Sequence, residues 1–212
     1  APIVDDPWTF GAIAAVNAYT GSAFPLAPSL FVEAAGTEAT VEADLVLAQE
    51  LAEEEGAIEV AYERSPEGRA RLWEARHVYA YALRATRPGR GVRSTDVCVP
   101  LSQLPGAVQV ARGEIERLRL DAAIVGHVGD GNLHVAVAID PQDPGARAAF
   151  EELAQRLALS RGGTCTGEHG IGLGKIAALE REHGDLLPYM QGIKALFDPR
   201  GIMNPGKVLG LL

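Results

Sequence analysis

Apolar positions along this chain recur with two periods, and those periods mark out helices interspersed with strands. Residues 10–19 carry apolar side chains at helical spacing and stop before Gly21, which predicts a short helix. The run 27–36, rich in strand formers and closed by Gly36, predicts a strand. Residues 37–56 open on a threonine cap, close on Gly56, and line up Val41, Leu45, Ala48 and Ala52 on one stripe. That is the pattern of an amphipathic helix. Alternation over 57–63 predicts another strand, and Ser65 followed by Pro66 opens a long helix over 65–85. A strand over 93–100 ends at Pro100, and a helix follows over 101–120. Two strands, 121–128 and 132–140, flank an Asp-Gly turn, and a helix over 143–163 comes next. The chain closes with a glycine-rich loop (162–174), short helices over 175–183 and 185–197, and a turn-rich tail.

The tight hairpin forces at least one antiparallel strand pair. The predicted class is therefore α+β: an antiparallel or mixed sheet, ferredoxin-like, with helices packed against it and a C-terminal helical, glycine-rich segment. No shift in composition divides residues 1–212, so one domain is expected.

Composition narrows the function. With 47% hydrophobic and 22% charged residues, the 212-residue chain has the make-up of an ordinary soluble domain. A net charge of −9 argues against a nucleic-acid partner, which needs a basic face. No stretch approaches the roughly 18 apolar residues of a membrane span. Cys98 and Cys165 are the only two cysteines and stand far apart, so neither a disulfide framework nor a cysteine zinc site is indicated. A cytoplasmic setting is the default reading.

Candidate chemistry concentrates in two places. The first is "HVGDGNLH", residues 127–134. With Asp130-Gly131 as the centre of a type I′ turn, His127 lies directly opposite His134 on the same face, Cβ atoms about 4.5–5.5 Å apart. Imidazoles so placed can converge on one metal ion at about 2.0–2.1 Å. Two half-buried sheet histidines with ordinary hydrogen-bond partners are the alternative, and spacing alone leaves the two even. The second is "GGTCTGEHGIGLGK", residues 162–175. Glu168 can complete a His-His-Glu set with open positions, suited to Zn²⁺, Mn²⁺ or Fe²⁺. His169 is then free to act as a general base, a role that suits an imidazole near neutral pH. A solvent-facing loop acid is the alternative for Glu168. The run is not a phosphate loop, because His169 stands at the first glycine position and Ile176 follows Lys175.

Four stretches in order, "RLWEARH" (71–77), "STDVCVPLSQLP" (94–105), "HVGDGNLH" and "TGEHGIGLGK", together with the tail "FDPRGIMNPGKVL", resemble the C-terminal, substrate-side part of FAD-linked 2-hydroxy-acid dehydrogenases of the vanillyl-alcohol-oxidase superfamily. The similarity runs from about residue 8 to the end, and is greatest to the D-lactate dehydrogenase (cytochrome) and glycolate oxidase FAD-subunit branch. The resemblance implies that His127, His134 and Glu168 hold a divalent metal and that His169 is the catalytic base. It places Arg76 on the substrate carboxylate, a task that suits a planar guanidinium fork. Asn132 and Asn204 are implied to approach the flavin or the substrate. Ser94 and Ala80 stand where the D-2-hydroxyglutarate branch carries a lysine and a threonine. The implied substrate is thus a small monocarboxylate such as D-lactate or glycolate.

The resemblance also implies that the FAD-binding domain is absent from these residues, so FAD would be held mainly by that domain in the same or a partner chain. A homodimer and peripheral attachment at an inner membrane are compatible with it. The rival reading, from a different class, is a stand-alone metal-binding or interaction module without activity of its own.

Overall fold

The computed structural model describes residues 2–4, 12–159 and 162–210; positions 10–11 and 160–161 of the expected helices lie outside them. The element order is β1 (Pro2–Val4), α1 (Ala12–Thr20), β2 (Ser29–Leu30), α2 (Glu38–Glu54), α3 (Pro66–Ala85), β3 (Gly91–Ser94), β4 (Val97–Cys98) and α4 (Leu104–Arg117). There follow β5 (Ala122–His127), β6 (Asn132–Ile139), α5 (Pro144–Leu159), α6 (Ile176–His183) and α7 (Leu187–Phe197).

The six strands form one antiparallel sheet in the order β2-β1-β5-β6-β3, with β4 also paired to β6. The α+β class and the antiparallel pairing are as the hairpin required. β6 is the central strand, and all eight of its residues are buried. Its alternation sorts the core into two layers. Leu133, Val135, Val137 and Ile139 face one way, with Ala122 and Ile124 of β5, and are covered by Ala107, Ala111 and Ile115 of α4 and Leu153 and Leu157 of α5. Ala136 and Ala138 face the other way, with Ala123 and Val125, and are covered by α1 and α3 through Ile13, Val16, Ala75, Ala82 and Leu83. Small strand residues on this second face let the two helices approach closely. Asn132 and His134 share that face by parity, so the site lies at one end of the α1/α3 layer.

Several expectations need correction. The strand predicted over 27–36 shrinks to Ser29–Leu30. The strand predicted over 57–63 does not form. Ile58 (79% exposed), Val60 (40%) and Tyr62 (54%) alternate, but a strand needs a partner for its backbone groups and none is offered among the described residues. The helix over 37–56 is present and capped as expected, Thr37 Oγ1 accepting from the Thr40 amide. Its predicted stripe is only half-buried, and the helix has no buried residue. The strand over 93–100 splits into β3 and β4 around Thr95 and Asp96.

The hairpin register also differs. Observed pairs are His127↔Asn132 and Val125↔His134, so the histidines are diagonal neighbours rather than directly opposed. A type I′ turn needs two residues with positive φ. Here only Gly131 adopts one (+71°), after a 3₁₀ turn over Val128–Asp130. A Cβ at Gly131 would collide with the Val99 carbonyl, whose own amide donates to Gly131 O at 2.9 Å. The loop is thus four residues long instead of two. The register moves by two, which preserves the face each side chain occupies.

Candidate active site

His134 is 5% exposed, and its ring is fixed at both ends. Nδ1 lies 2.8 Å from the carbonyl of Thr95, which only accepts, so this nitrogen carries a proton. Thr95 is itself held to β6: its amide donates to Val135 O (3.1 Å), and its hydroxyl accepts from the Val135 amide (2.8 Å). Nε2 of His134 therefore points into the site, 3.1 Å from Glu168 Oε1.

His127 brings its own Nε2 to 3.7 Å from the same oxygen. Arg76, half-way along α3, reaches that nitrogen through Nη2 at 3.2 Å. A guanidinium has donors only, so His127 Nε2 accepts and the proton sits on Nδ1. The two hairpin rings meet edge to face with centroids 5.9 Å apart, within reach despite the diagonal register. His169 stacks on His134 (5.1 Å, 10° between planes) and places its Nε2 3.4 Å from Glu168 Oε1. One carboxylate oxygen thus faces three imidazoles.

The structure therefore brings Arg76, His127, His134, Glu168 and His169 together from three separated segments. The donor atoms of Asp96, His134, Glu168 and His169 all lie within 4.8 Å of one another, a grouping that differs from the His127–His134–Glu168 set by including Asp96 and His169 and leaving out His127. Asn132 borders the cluster. Its Nδ2 lies 3.5 Å from Asp96 Oδ1, and its Oδ1 is buried without a partner among the described residues. Asn204 is elsewhere, in the tail, with φ +45° and its Oδ1 accepting from Lys207 Nζ at 3.3 Å.

Sequence reasoning passed over Thr95, Asp96 and Tyr79. No local signal singles out the first two, which sit at the end of the polar run 93–96 that opens the predicted strand. Tyr79 lies one turn from Arg76 on the same face of α3, packed against the core. Burial pushes its phenol up, the Arg76 charge opposes this and the Glu168 charge adds to it. The hydroxyl therefore stays protonated at neutral pH and can donate.

Gly167 lets the loop carrying Glu168 and His169 come down on the sheet. A Cβ there would sit 2.8 Å from Asn132 Nδ2, 3.0 Å from Asn132 Cγ and 3.1 Å from Asp96 Oδ1. Gly167→Ala is expected to destabilise the fold by about 1–3 kcal/mol through overpacking, read from urea unfolding. An unchanged midpoint would mean that the loop accommodates the methyl without cost.

Known proteins resemble this chain in sequence and in fold. The family described as "FAD linked oxidases, C-terminal domain" matches residues 9–208. A probable mitochondrial D-lactate dehydrogenase of Danio rerio is 42% identical over 203 residues, 94% of this chain and 41% of that protein. The mitochondrial D-lactate dehydrogenase [cytochrome] of Arabidopsis thaliana is 37% identical, covering 93% of this chain and 35% of that protein. Glycolate oxidase subunit GlcD of Escherichia coli is 32% identical over 84% of this chain and 36% of its own length. The chain thus spans about two fifths or less of these curated relatives. Among solved structures, a 4-ethylphenol oxidase from Gulosibacter chungangensis in complex with isoeugenol shares the fold, with TM-score 0.56 and 17% identity. That match covers 83% of this chain and 38% of the oxidase. Among the described residues no helix is long and apolar enough to cross a membrane. Since the family match takes in nearly the whole chain, this protein belongs to the FAD-linked oxidase C-terminal domain family.

Proposed function

We propose that this chain is the substrate-side domain of a flavin-dependent oxidoreductase that oxidises a small D-2-hydroxy acid, D-lactate or glycolate, to the 2-oxo acid. One observation carries the reading: Arg76, the hairpin histidines and the Glu168–His169 loop meet at one end of one sheet face. The names of the relatives, D-lactate dehydrogenases and a glycolate oxidase subunit, support it.

The donor set fits a divalent cation. Two ligands at about 2.1 Å from a tetrahedral ion are separated by about 3.4 Å, and the imidazole-to-Glu168 distances of 3.1, 3.4 and 3.7 Å bracket that value. His134 also gives its second ring nitrogen to a backbone carbonyl, the habit of metal-bound histidines. His127, His134 and Glu168 would hold Zn²⁺, Mn²⁺ or Fe²⁺. Such an ion, when bound, supplies Lewis acidity toward the substrate α-hydroxyl. The unpartnered buried Oδ1 of Asn132 fits a contact to flavin or substrate, whereas the same role for Asn204 rests on the family resemblance alone. FAD would be held mainly by the FAD-binding domain of the same or a partner chain and, when bound, would supply the hydride acceptor.

The chain's own residues supply orientation and proton transfer. Arg76 exchanges its His127 partner for the substrate carboxylate, which its fork grips through two parallel hydrogen bonds. His169, half-exposed and open to the substrate side, takes the hydroxyl proton at Nε2. Ser94 turns its hydroxyl onto the Thr95 carbonyl (3.0 Å), and Ala80 offers only a methyl, so neither provides a cation for a second carboxylate.

The test uses the holoenzyme, mixed without oxygen with D-lactate, glycolate or D-2-hydroxyglutarate while the flavin's visible absorbance is followed. Bleaching is expected to be fastest with a monocarboxylate, and a preference for the diacid sinks the substrate assignment. Arg76→Lys is expected to raise KM for the preferred acid by about one to two orders of magnitude with a smaller change in kcat, because a lysine cannot form the bidentate pair. An unchanged KM removes Arg76 from the carboxylate site.

A further inference from the structure

Four side chains offer donor atoms close enough to share one cation, and by distance alone Asp96 qualifies as well as the others. Its surroundings set it apart. It is 1% exposed, and its two oxygens already accept from five donors. Oδ2 receives the His169 amide (2.8 Å), the Thr166 hydroxyl (2.8 Å) and Lys175 Nζ (3.0 Å). Oδ1 receives the Glu168 amide (3.1 Å) and, at 3.5 Å, the amide nitrogen of Asn132. A carboxylate has about four lone-pair positions, and five donors crowd them, three on Oδ2 and the Glu168 amide shared between both oxygens, which makes Asp96 a poor metal ligand. The ammonium of Lys175 would also repel a divalent cation placed there. Burial pushes the Asp96 carboxyl up, but the donors from His169, Lys175, Thr166 and Glu168 outweigh it and hold it well below the usual carboxylate range.

Beyond these bonds the loop is held further along, where Ile171 packs on the core and the Val208 amide donates to Gly172 O at 2.8 Å. Residues 166–174 form turns and bends with no helix or strand, and Glu168 and His169 are both exposed. The Glu168 and His169 amides are adjacent, and both end on Asp96. Fixing two successive peptide groups fixes the directions in which the two side chains leave the backbone. Asp96 itself occupies the break between β3 and β4, on a backbone tied to β6 through Thr95.

We infer that Asp96 is a positioning residue: from the strand break it anchors the 166–175 loop, with Lys175 as its counter-ion, so that Glu168 and His169 are presented to the histidine pair. The consequence for metal affinity rests on the metal reading given above, whereas the anchoring of the loop does not.

The experiment measures amide hydrogen exchange and Mn²⁺ affinity on the full chain, for wild type, Asp96→Asn, Lys175→Met and Lys175→Arg. Asparagine keeps one acceptor oxygen where five donors converge. Asp96→Asn is expected to speed exchange at the Glu168 and His169 amides at least about tenfold and to weaken Mn²⁺ binding about 10–100-fold, while β5 and β6 exchange as before. Lys175 is partly exposed, so Lys175→Met keeps the test valid if Asp96→Asn fails to fold. It is expected to move both readouts the same way by about three- to tenfold, and Lys175→Arg to restore them. Unchanged exchange at both amides in Asp96→Asn and Lys175→Met overturns the anchor. A wild-type chain that takes up neither Mn²⁺ nor Zn²⁺ overturns the metal reading instead, and the exchange rates still decide the anchor.

Discussion

Replacing His169 with alanine is expected to lower turnover of the 2-hydroxy acid by about 10²–10⁴-fold, the usual contribution of a positioned general base, and to leave the bound metal unchanged. Metal content is the informative half of this result. The Nε2 of His169 stands 3.4 Å from the Glu168 oxygen that faces both hairpin imidazoles, close enough to act as a ligand. Two roles therefore compete for one nitrogen. His134 has its Nε2 turned into the site by the Thr95 carbonyl on its other nitrogen, and His127 presents its Nε2 there against Arg76 Nη2. Among the described residues the His169 ring meets the His134 stack and the exposed Glu168 carboxylate, and it is 51% exposed at the side chain. A ring that must reach substrate and then release a proton suits the second description. Steady-state kinetics and metal analysis of the His169→Ala holoenzyme separate the roles. If turnover and metal are lost together, His169 is a ligand and the base must be sought elsewhere.

Glu168→Gln is expected to weaken Mn²⁺ or Zn²⁺ binding at least about a hundredfold with little change in thermal stability. Losing a residue that touches the ion should cost more than the 10–100-fold typical of residues that only orient a ligand. Glutamine keeps the shape of the side chain but removes the charge, and an amide oxygen is a far poorer ligand than a carboxylate for a divalent ion. Stability should hold because the side chain is 48% exposed and its imidazole contacts are not part of the core. Turnover should fall in parallel with metal occupancy and recover in part at raised Mn²⁺. Calorimetric titration checks the affinity. An unaltered affinity excludes Glu168 from the ligand set and leaves the imidazoles to hold any ion alone.

The histidine hairpin shows how far local reasoning reaches. The expected two-residue turn proved to be a four-residue loop, and the direct opposition became a diagonal one. The two rings nevertheless share a face, since a shift of two residues leaves side-chain parity untouched. The alternation over 57–63 shows the opposite limit: the period is present, yet no strand forms, because alternation describes a side-chain pattern and not the presence of a partner. Thr95 and Asp96 were invisible for a related reason. Nothing in "STDVCVP" says that the strand breaks there, or that the buried carboxylate will meet a loop more than 70 residues later.

The sequence by itself determined the helices with their caps, the α+β class, the glycine-rich loop and the residue types able to bind metal, proton and carboxylate. These depend on interactions within a few residues, which periodicity and composition record directly. Only the tertiary structure decided that Arg76 reaches His127 across 51 positions, that Glu168 faces three imidazoles, and that Asp96 is spent on the loop rather than left for a cation. Those outcomes depend on strand register and on which helix covers which sheet face. Both are set by long-range packing, and no local pattern encodes it.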